Sequence, residues 1–110
     1  MNIVGNVKNK NCVIVDDIID SGGTIVNAAK ALKEKGAKDV YVYITHAVLS
    51  GNAVEKIDNS RIKKMITTDT IDNSKKVQRS KKIEIISLAP MISEAMKRIA
   101  NSTSVSSLFK

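Results

Sequence analysis

At 110 residues, with 43% hydrophobic and 26% charged side chains, the chain has room for one small domain of ordinary globular composition, which excludes disorder throughout. A single cysteine excludes an internal disulfide framework or cysteine metal site; no apolar stretch approaches the roughly 20 residues of a membrane span; and Met1-Asn-Ile-Val-Gly5 lacks a basic leader followed by an apolar run, so a cytoplasmic, membrane-free protein is expected. The formal charge of +7 invites a nucleic-acid partner, but Lys63, Lys64, Lys75, Lys76, Arg79, Lys81 and Lys82 crowd one polar stretch with no aromatic side chains interleaved, so a solvated loop is expected and no nucleic-acid face.

The first element is the apolar, β-branched run Cys12 to Val15, expected as a strand covered on both faces in a parallel sheet, with Cys12 as a small buried hydrophobe. Asp16 and Asp17 follow at its carboxyl end, where open α/β sheets collect their ligands. Ionised carboxylates are pure acceptors and can take both protons of a vicinal sugar diol. Asp20-Ser21-Gly22-Gly23-Thr24 then forms an acidic, glycine-rich turn. Glycine lets the backbone approach a phosphate, and Thr24 and the next amides offer N–H donors at a helix N-terminus. The constellation reads as a ribose-phosphate cradle in which backbone, rather than lysine, holds the dianion.

Ile25, Ala28, Ala29 and Leu32 recur at helical spacing, with Lys33 and Lys35 in the last turn and Gly36 as the stop. Val40 to Thr45 is the next strand and ends at His46, giving a parallel, right-handed β-α-β unit. Ser50-Gly51-Asn52 offers a turn and cap before a short helix, Ala53 to Ile57, and Lys64 to Thr68 a third strand. Asp69 through Lys82 is expected as a long exposed connection, the least ordered segment. Ile83 to Ser87 is a fourth strand. Pro90 opens a helix whose apolar face is Ile92, Ala95, Met96, Ile99 and Ala100, with Met91 and Met96 expected in the core. Leu108 and Phe109 are apolar anchors in a polar terminus. His46 and Asp69 follow strand ends and could lie near a ligand, though a structural role is the more ordinary one for each.

The loop Val15 to Thr24 resembles the phosphoribosyl-pyrophosphate loop shared by type I phosphoribosyltransferases and ribose-phosphate pyrophosphokinases. Thr45-His-Ala-Val-Leu-Ser-Gly51 with Asn52-Ala53, Ile66-Thr-Thr-Asp-Thr70, Ser93 to Ile99 and Ser104 to Phe109 together resemble the carboxy-terminal part of ribose-phosphate pyrophosphokinase, in order and over nearly the whole chain. The resemblance implies an α/β, parallel-sheet, three-layer phosphoribosyltransferase-like domain, incomplete, over residues 1–103, and a carboxy-terminal effector-site and interface tail over 104–110.

It also implies an activity. The family transfers the pyrophosphoryl group of ATP to ribose 5-phosphate, with magnesium, making phosphoribosyl pyrophosphate and AMP for nucleotide biosynthesis. Asp16, Asp17, Asp20, Ser21, Gly22, Gly23 and Thr24 match its ribose 5-phosphate residues, with Asp16 and Asp17 also possible magnesium ligands. Ser21 stands where threonine is frequent, and Asn6 where aspartate is. Ser104, Val105, Ser106 and Phe109 match an effector segment. Family members are about three times as long, and their ATP-binding, metal-binding and catalytic residues match nothing here. The chain is therefore expected to be the carboxy-terminal portion of the kinase, supplying the ribose 5-phosphate half-site, with no catalytic residues, inactive alone, and meeting ATP only with the missing half. It is expected to form homo-oligomers or to join an amino-terminal portion. A small phosphoribosyltransferase and a non-catalytic regulatory subunit are the alternatives.

Overall fold

The computed structural model describes residues 5–109; most of the stretch read for a leader, Met1 to Val4, lies outside them, as does Lys110. Four parallel strands lie side by side in chain order: β1 (Cys12–Ile19), β2 (Val40–Ala47), β3 (Lys64–Thr68) and β4 (Ile83–Ile86). The helices are α1 (Gly23–Glu34), α2 (Ala53–Asp58) and α3 (Ala89–Ala100), followed by a 3-10 turn over Ser106–Phe109. The expected α/β parallel-sheet architecture is present. β1 runs four residues beyond its expected end, so Asp16 and Asp17 belong to the strand rather than to the loop after it.

Side chains alternate across a strand, so each strand offers one row to each face. Val40, Val42 and Ile44 of β2, Met65 of β3 and Ile83 of β4 form the inward row, and Ile25 and Ala29 of α1 with Ala53 and Ile57 of α2 close the core over it. The small side chains matter: Ala29 and Ala53 are fully buried and let the helices approach the sheet closely. Near the carboxyl ends the alternation breaks. In both β1 and β2 the inward position shifts, so that Ile19 and its register partner Ala47 are buried together.

The other face of the sheet corrects one expectation. β1 is not covered on both faces: Val13 is 51% exposed, Val15 74%, and Tyr43 and Ile86 on β2 and β4 are open too. Val15, Tyr43, Ile66 and Ile86 line a shallow apolar depression there. The helix α3 also departs from expectation. It has no buried residue, and Met91 and Met96, expected in the core, are exposed along with Ile92 and Ile99. Its amphipathic pattern is real, but the face has no packing partner among the described residues.

The connection between β3 and β4 is more tightly held than its polarity suggested. Asn73 is buried and its Nδ2 donates to the Ala47 carbonyl at 2.6 Å, while Val77 packs against the core. The Lys76 ammonium donates to the carbonyls of Val48 and Leu49 at 3.2 and 3.3 Å. A primary ammonium has three donors and no acceptor, so the basic run here fastens backbone as well as meeting solvent.

Two outcomes follow from this arrangement. Apolar surface on an open sheet face, beside β1 as an edge strand among the described residues, favours association. The chain should self-associate with rising concentration in sedimentation velocity, and the double variant Val15→Lys, Ile86→Lys should return it to monomer; a wild-type chain that stays monomeric at high concentration would contradict this. The second outcome concerns Asp69, which accepts the Leu88 N–H at 2.8 Å and so anchors the start of α3 to the end of β3. That bond, with a further one from Ser87, holds the Asp69 carboxyl below the ordinary aspartate value of 3.8. A depressed folded-state value means the anchoring is complete above the ordinary aspartate range and is lost as the pH falls through the lowered value. The Leu88 amide resonance should therefore titrate with a midpoint below 3.8, and a midpoint at or above it would rule out the anchor.

Candidate functional site

The loop between β1 and α1 and the end of β1 enclose a cleft of about 190 Å³. Asp16, Asp20, Ser21, Gly22, Gly23 and Thr24 all wall it, as six of the seven predicted sugar-phosphate residues. The seventh, Asp17, does not. Asp17 is exposed and lies outside the cleft lining, and its backbone N–H donates to Asp16 Oδ1 at 2.8 Å.

The two glycines serve separate needs. Gly22 has φ +85°, the left-handed region, and is buried with Ile57 and Ala53 of α2 beneath it. A side chain there is disfavoured by about 1–2 kcal/mol from backbone geometry, although the space is adequate. Gly23 has no such dihedral, and nothing lies within 4 Å of where its Cβ would stand. Glycine at Gly23 keeps the cleft open.

The helix start is prepared for an anion. No side chain caps α1, no acidic residue sits in its first turn, and the first intrahelical bond of this turn runs from Val26 N–H to the Gly22 carbonyl. The preceding amides of Gly23, Thr24 and Ile25 therefore have no helical acceptor, as at every helix start, and their dipoles add up at the cleft.

Ser50 was not among the predicted site residues, yet it secures the loop twice. Its hydroxyl donates to Asp20 Oδ1 and its backbone N–H to the Asp20 carbonyl at 3.0 Å. The available signal was topological: in adjacent parallel strands the segments after β1 and β2 emerge side by side, so the Ser50 turn had to lie next to Asp20. His46 lies beside Ile18 in register, and its Nδ1 pairs with the Thr70 hydroxyl at 2.8 Å. The hydroxyls of Thr68 and Thr70 both reach the Thr45 carbonyl. His46 and Asp69 thus have structural partners at the strand ends, and neither walls the cleft.

At the terminus the chain turns back on α3. Thr103 N–H donates to the Arg98 carbonyl at 2.8 Å, Arg98 Nη1 donates to the Ser104 carbonyl and to the Ser107 hydroxyl, and the hydroxyls of Ser104 and Ser106 lie 2.9 Å apart. The predicted effector residues are held in one compact turn, separate from the cleft residues in sequence.

Comparison with known proteins agrees with this architecture. A family profile described as phosphoribosyl synthetase-associated domain matches residues 1–110. The chain is similar to ribose-phosphate pyrophosphokinases from Clostridium tetani, at 56% identity over 99% of this chain and 34% of the relative, and from Hyphomonas neptunium, at 50% identity over 99% and 35%. It also superposes on the crystal structure of phosphoribosylpyrophosphate synthetase from Mycobacterium smegmatis with a TM-score of 0.84 and 35% identity, over 90% of this chain and 33% of that one. The chain thus spans about a third of the length of these relatives. The expected carboxy-terminal assignment is corrected by these matches: the profile takes residues 1–110 as a synthetase-associated domain, and overlap with 34–35% of the relatives carries no carboxy-terminal placement, so the chain is described as that domain and not as a carboxy-terminal portion. On a match that spans its whole length, the chain belongs to the phosphoribosyl synthetase-associated domain family.

Proposed function

We propose that this domain binds ribose 5-phosphate in the cleft between β1 and α1 and so takes part in the ATP-dependent synthesis of phosphoribosyl pyrophosphate. The observation that carries the reading is the meeting, in one cleft, of uncapped first-turn amides with two carboxylates, Asp16 and Asp20. A phosphate dianion is matched by the amides of Gly23, Thr24 and Ile25 and by the hydroxyls of Ser21 and Thr24. A sugar extending from it toward the strand end meets the free oxygen of Asp16, whose other oxygen is engaged by the Asp17 N–H. The Ser50 bonds keep the Asp20 turn in place without a ligand, which reduces the ordering cost of binding.

Magnesium fits this donor set in one particular way. Among the described residues no three His, Cys, Asp or Glu side chains gather into a metal cage. Magnesium does not require one: it keeps several waters and is commonly held by one or two carboxylates together with substrate phosphates. Asp16 is the residue placed to supply such a carboxylate from the cleft, with Asp17 next to it in the strand. When bound, the ion would neutralise charge on the phosphorylated sugar. The role of this chain in the transfer is positional: phosphoryl-group chemistry rests mostly on alignment and electrostatic stabilisation, and what these residues do is bind, orient and hold the sugar phosphate.

The same reading assigns Ser104, Val105, Ser106 and Phe109 to an effector subsite for an anion. The paired hydroxyls of Ser104 and Ser106, and the Arg98 guanidinium beside the turn, support it.

Calorimetric titration of ribose 5-phosphate with magnesium chloride tests the cleft directly. Saturable binding is expected for the wild-type chain. Gly23→Ala, whose new methyl meets no protein atom, should keep the fold and lose at least about tenfold in affinity by filling the phosphate position; Asp20→Ala should weaken binding through loss of the Ser50 tie. A folded chain with no saturable binding, or equal affinity in Gly23→Ala, would overturn the assignment.

A further inference from the structure

The carbonyls of Val48 and Leu49 lie between β2 and α2, outside any helix or strand, and among the described residues no backbone N–H donates to either. Side chains from the connection between β3 and β4 donate instead. The Lys76 ammonium reaches these two carbonyls at 3.2 and 3.3 Å, and Asn73 Nδ2 reaches the preceding one, of Ala47, at 2.6 Å. Three successive carbonyls are thus held by two side chains three residues apart, on a turn that the Val77 N–H closes onto the Asn73 carbonyl at 3.0 Å. The amides of the same segment are engaged by the end of β1 and the turn after it. Val48 N–H donates to the Ile19 carbonyl at 2.9 Å and Ser50 N–H to the Asp20 carbonyl at 3.0 Å, while the Ser50 hydroxyl donates to Asp20 Oδ1. Residues 47–50 therefore form one layer of backbone that joins the connection to the sugar-phosphate loop.

This layer needs holding at Leu49. Its φ of 55° lies in the left-handed region, which a residue with a β-carbon adopts at a cost, and such a backbone persists only where its surroundings fix it. Lys76 bonds the carbonyl of that residue. Asn73 carries a cost of its own, since it is buried and its Oδ1 has no partner among the described residues. An unpaired buried acceptor destabilises, so burial alone does not account for an amide at this position; the donation to Ala47 does. The connection is anchored independently of Lys76. Val77 packs against the core, the Ser80 hydroxyl donates to Asp58 Oδ1 at 2.6 Å, and the Lys82 ammonium donates to the Ser60 carbonyl at 2.6 Å. Lys76 itself is exposed, so replacing it removes its bonds without emptying the core.

We propose that Lys76 and Asn73 are positioning residues for the sugar-phosphate cleft: by holding the carbonyls of Ala47, Val48 and Leu49 they fix Ser50, and Ser50 fixes the Asp20 turn in the form that receives the ligand. What the cleft binds rests on the function proposed above; the hold on Ser50 does not. Without that hold the loop samples other arrangements, and the apparent affinity falls with the fraction of molecules in the competent one.

Amide hydrogen exchange of the ligand-free full chain, followed by calorimetric titration with ribose 5-phosphate and magnesium chloride, tests both halves. In Lys76→Met the Ser50 amide should exchange at least about tenfold faster, while Val42 in the interior strand β2, which reports opening of the whole fold, keeps its wild-type rate. Affinity for ribose 5-phosphate should fall at least about fivefold in the same variant. Lys76→Arg keeps donors at the position and should restore both values. Lys75→Met removes an equal charge from the neighbouring residue and should change neither, which separates the hydrogen bonds from a general attraction for anions. Asn73→Leu, which keeps an apolar body in place of the donor, should also speed Ser50 exchange. An unchanged Ser50 rate in Lys76→Met, or the same loss of affinity in Lys75→Met, would overturn the hold. Faster Ser50 exchange with ribose 5-phosphate affinity unchanged would overturn its role in binding. A folded wild-type chain that binds no ribose 5-phosphate would overturn the proposed function itself, and the Ser50 rate would still decide the hold.

Discussion

The tie between Asp20 and Ser50 is the contact on which the functional end of this domain depends. A loop of glycines and small polar residues has little apolar surface to bury and cannot order itself by packing. Two hydrogen bonds to the turn after the next strand supply the order instead, one through the Asp20 side chain and one through its backbone. Because the sheet is parallel, these turns leave it at the same end, and the register that pairs Ile19 with Ala47 brings them together. Gly22 completes the arrangement by lying on Ala53 and Ile57. Sheet register, loop geometry and the seating of α2 are one constraint seen from three sides.

Much of this was legible in the sequence, for identifiable reasons. The strand β2 begins at Val40, where its β-branched run begins, β3 takes Lys64–Thr68, α1 stops before Gly36 at φ 91°, and Asp16 of β1 and the loop residues Asp20 to Thr24 reach one cleft because their order along the chain fixes their order around a strand-turn-helix corner. What the sequence concealed depends on pairs far apart in the chain. Nothing in Asn73 itself distinguishes a buried, bonded amide from a solvated one until Ala47 is beside it. Asp17 reads as the twin of Asp16, but only Asp16 lines the cleft. A periodic apolar face proves that a helix is amphipathic; it does not say that its partner belongs to the same stretch of chain, and Met96 and Ile99 of α3 show the difference.

The positive charge is likewise better understood by position than by total. Lysines at a surface are strongly hydrated and individually contribute little to stability when paired in the open. Lys64 with Glu84 is such a pair, with both side chains substantially exposed. Lys76 acts differently, since its ammonium gathers two carbonyls of the segment that precedes Ser50. A cation there compensates backbone acceptors left without partners where β2 has ended and α2 has not begun. Reading the cluster from 75 to 82 as a solvated face therefore misses Lys76 and also Lys82, whose ammonium donates to the Ser60 carbonyl at 2.6 Å.

These elements give the domain two surfaces with different physical character. The carboxyl end of the sheet is polar and internally bonded: Thr45, His46, Thr68 and Thr70 satisfy one another, and Asp69 engages Leu88. The bare sheet face beside it is apolar, with Val13, Val15, Tyr43 and Ile86 open to solvent. An apolar surface is stabilised by any cover that excludes water, whereas bonded polar clusters specify geometry and tolerate little rearrangement. A domain spanning a third of its relatives' length can thus keep its ligand loop formed through internal hydrogen bonds while leaving its hydrophobic contacts for another partner. The division follows from where the alternation breaks. Up to Ile44 each strand sorts apolar residues to both faces; beyond it the inward position shifts to Ala47 and Ile19, and the chain beyond is free to place Asp20, Gly22 and Ser50 where a ligand meets them.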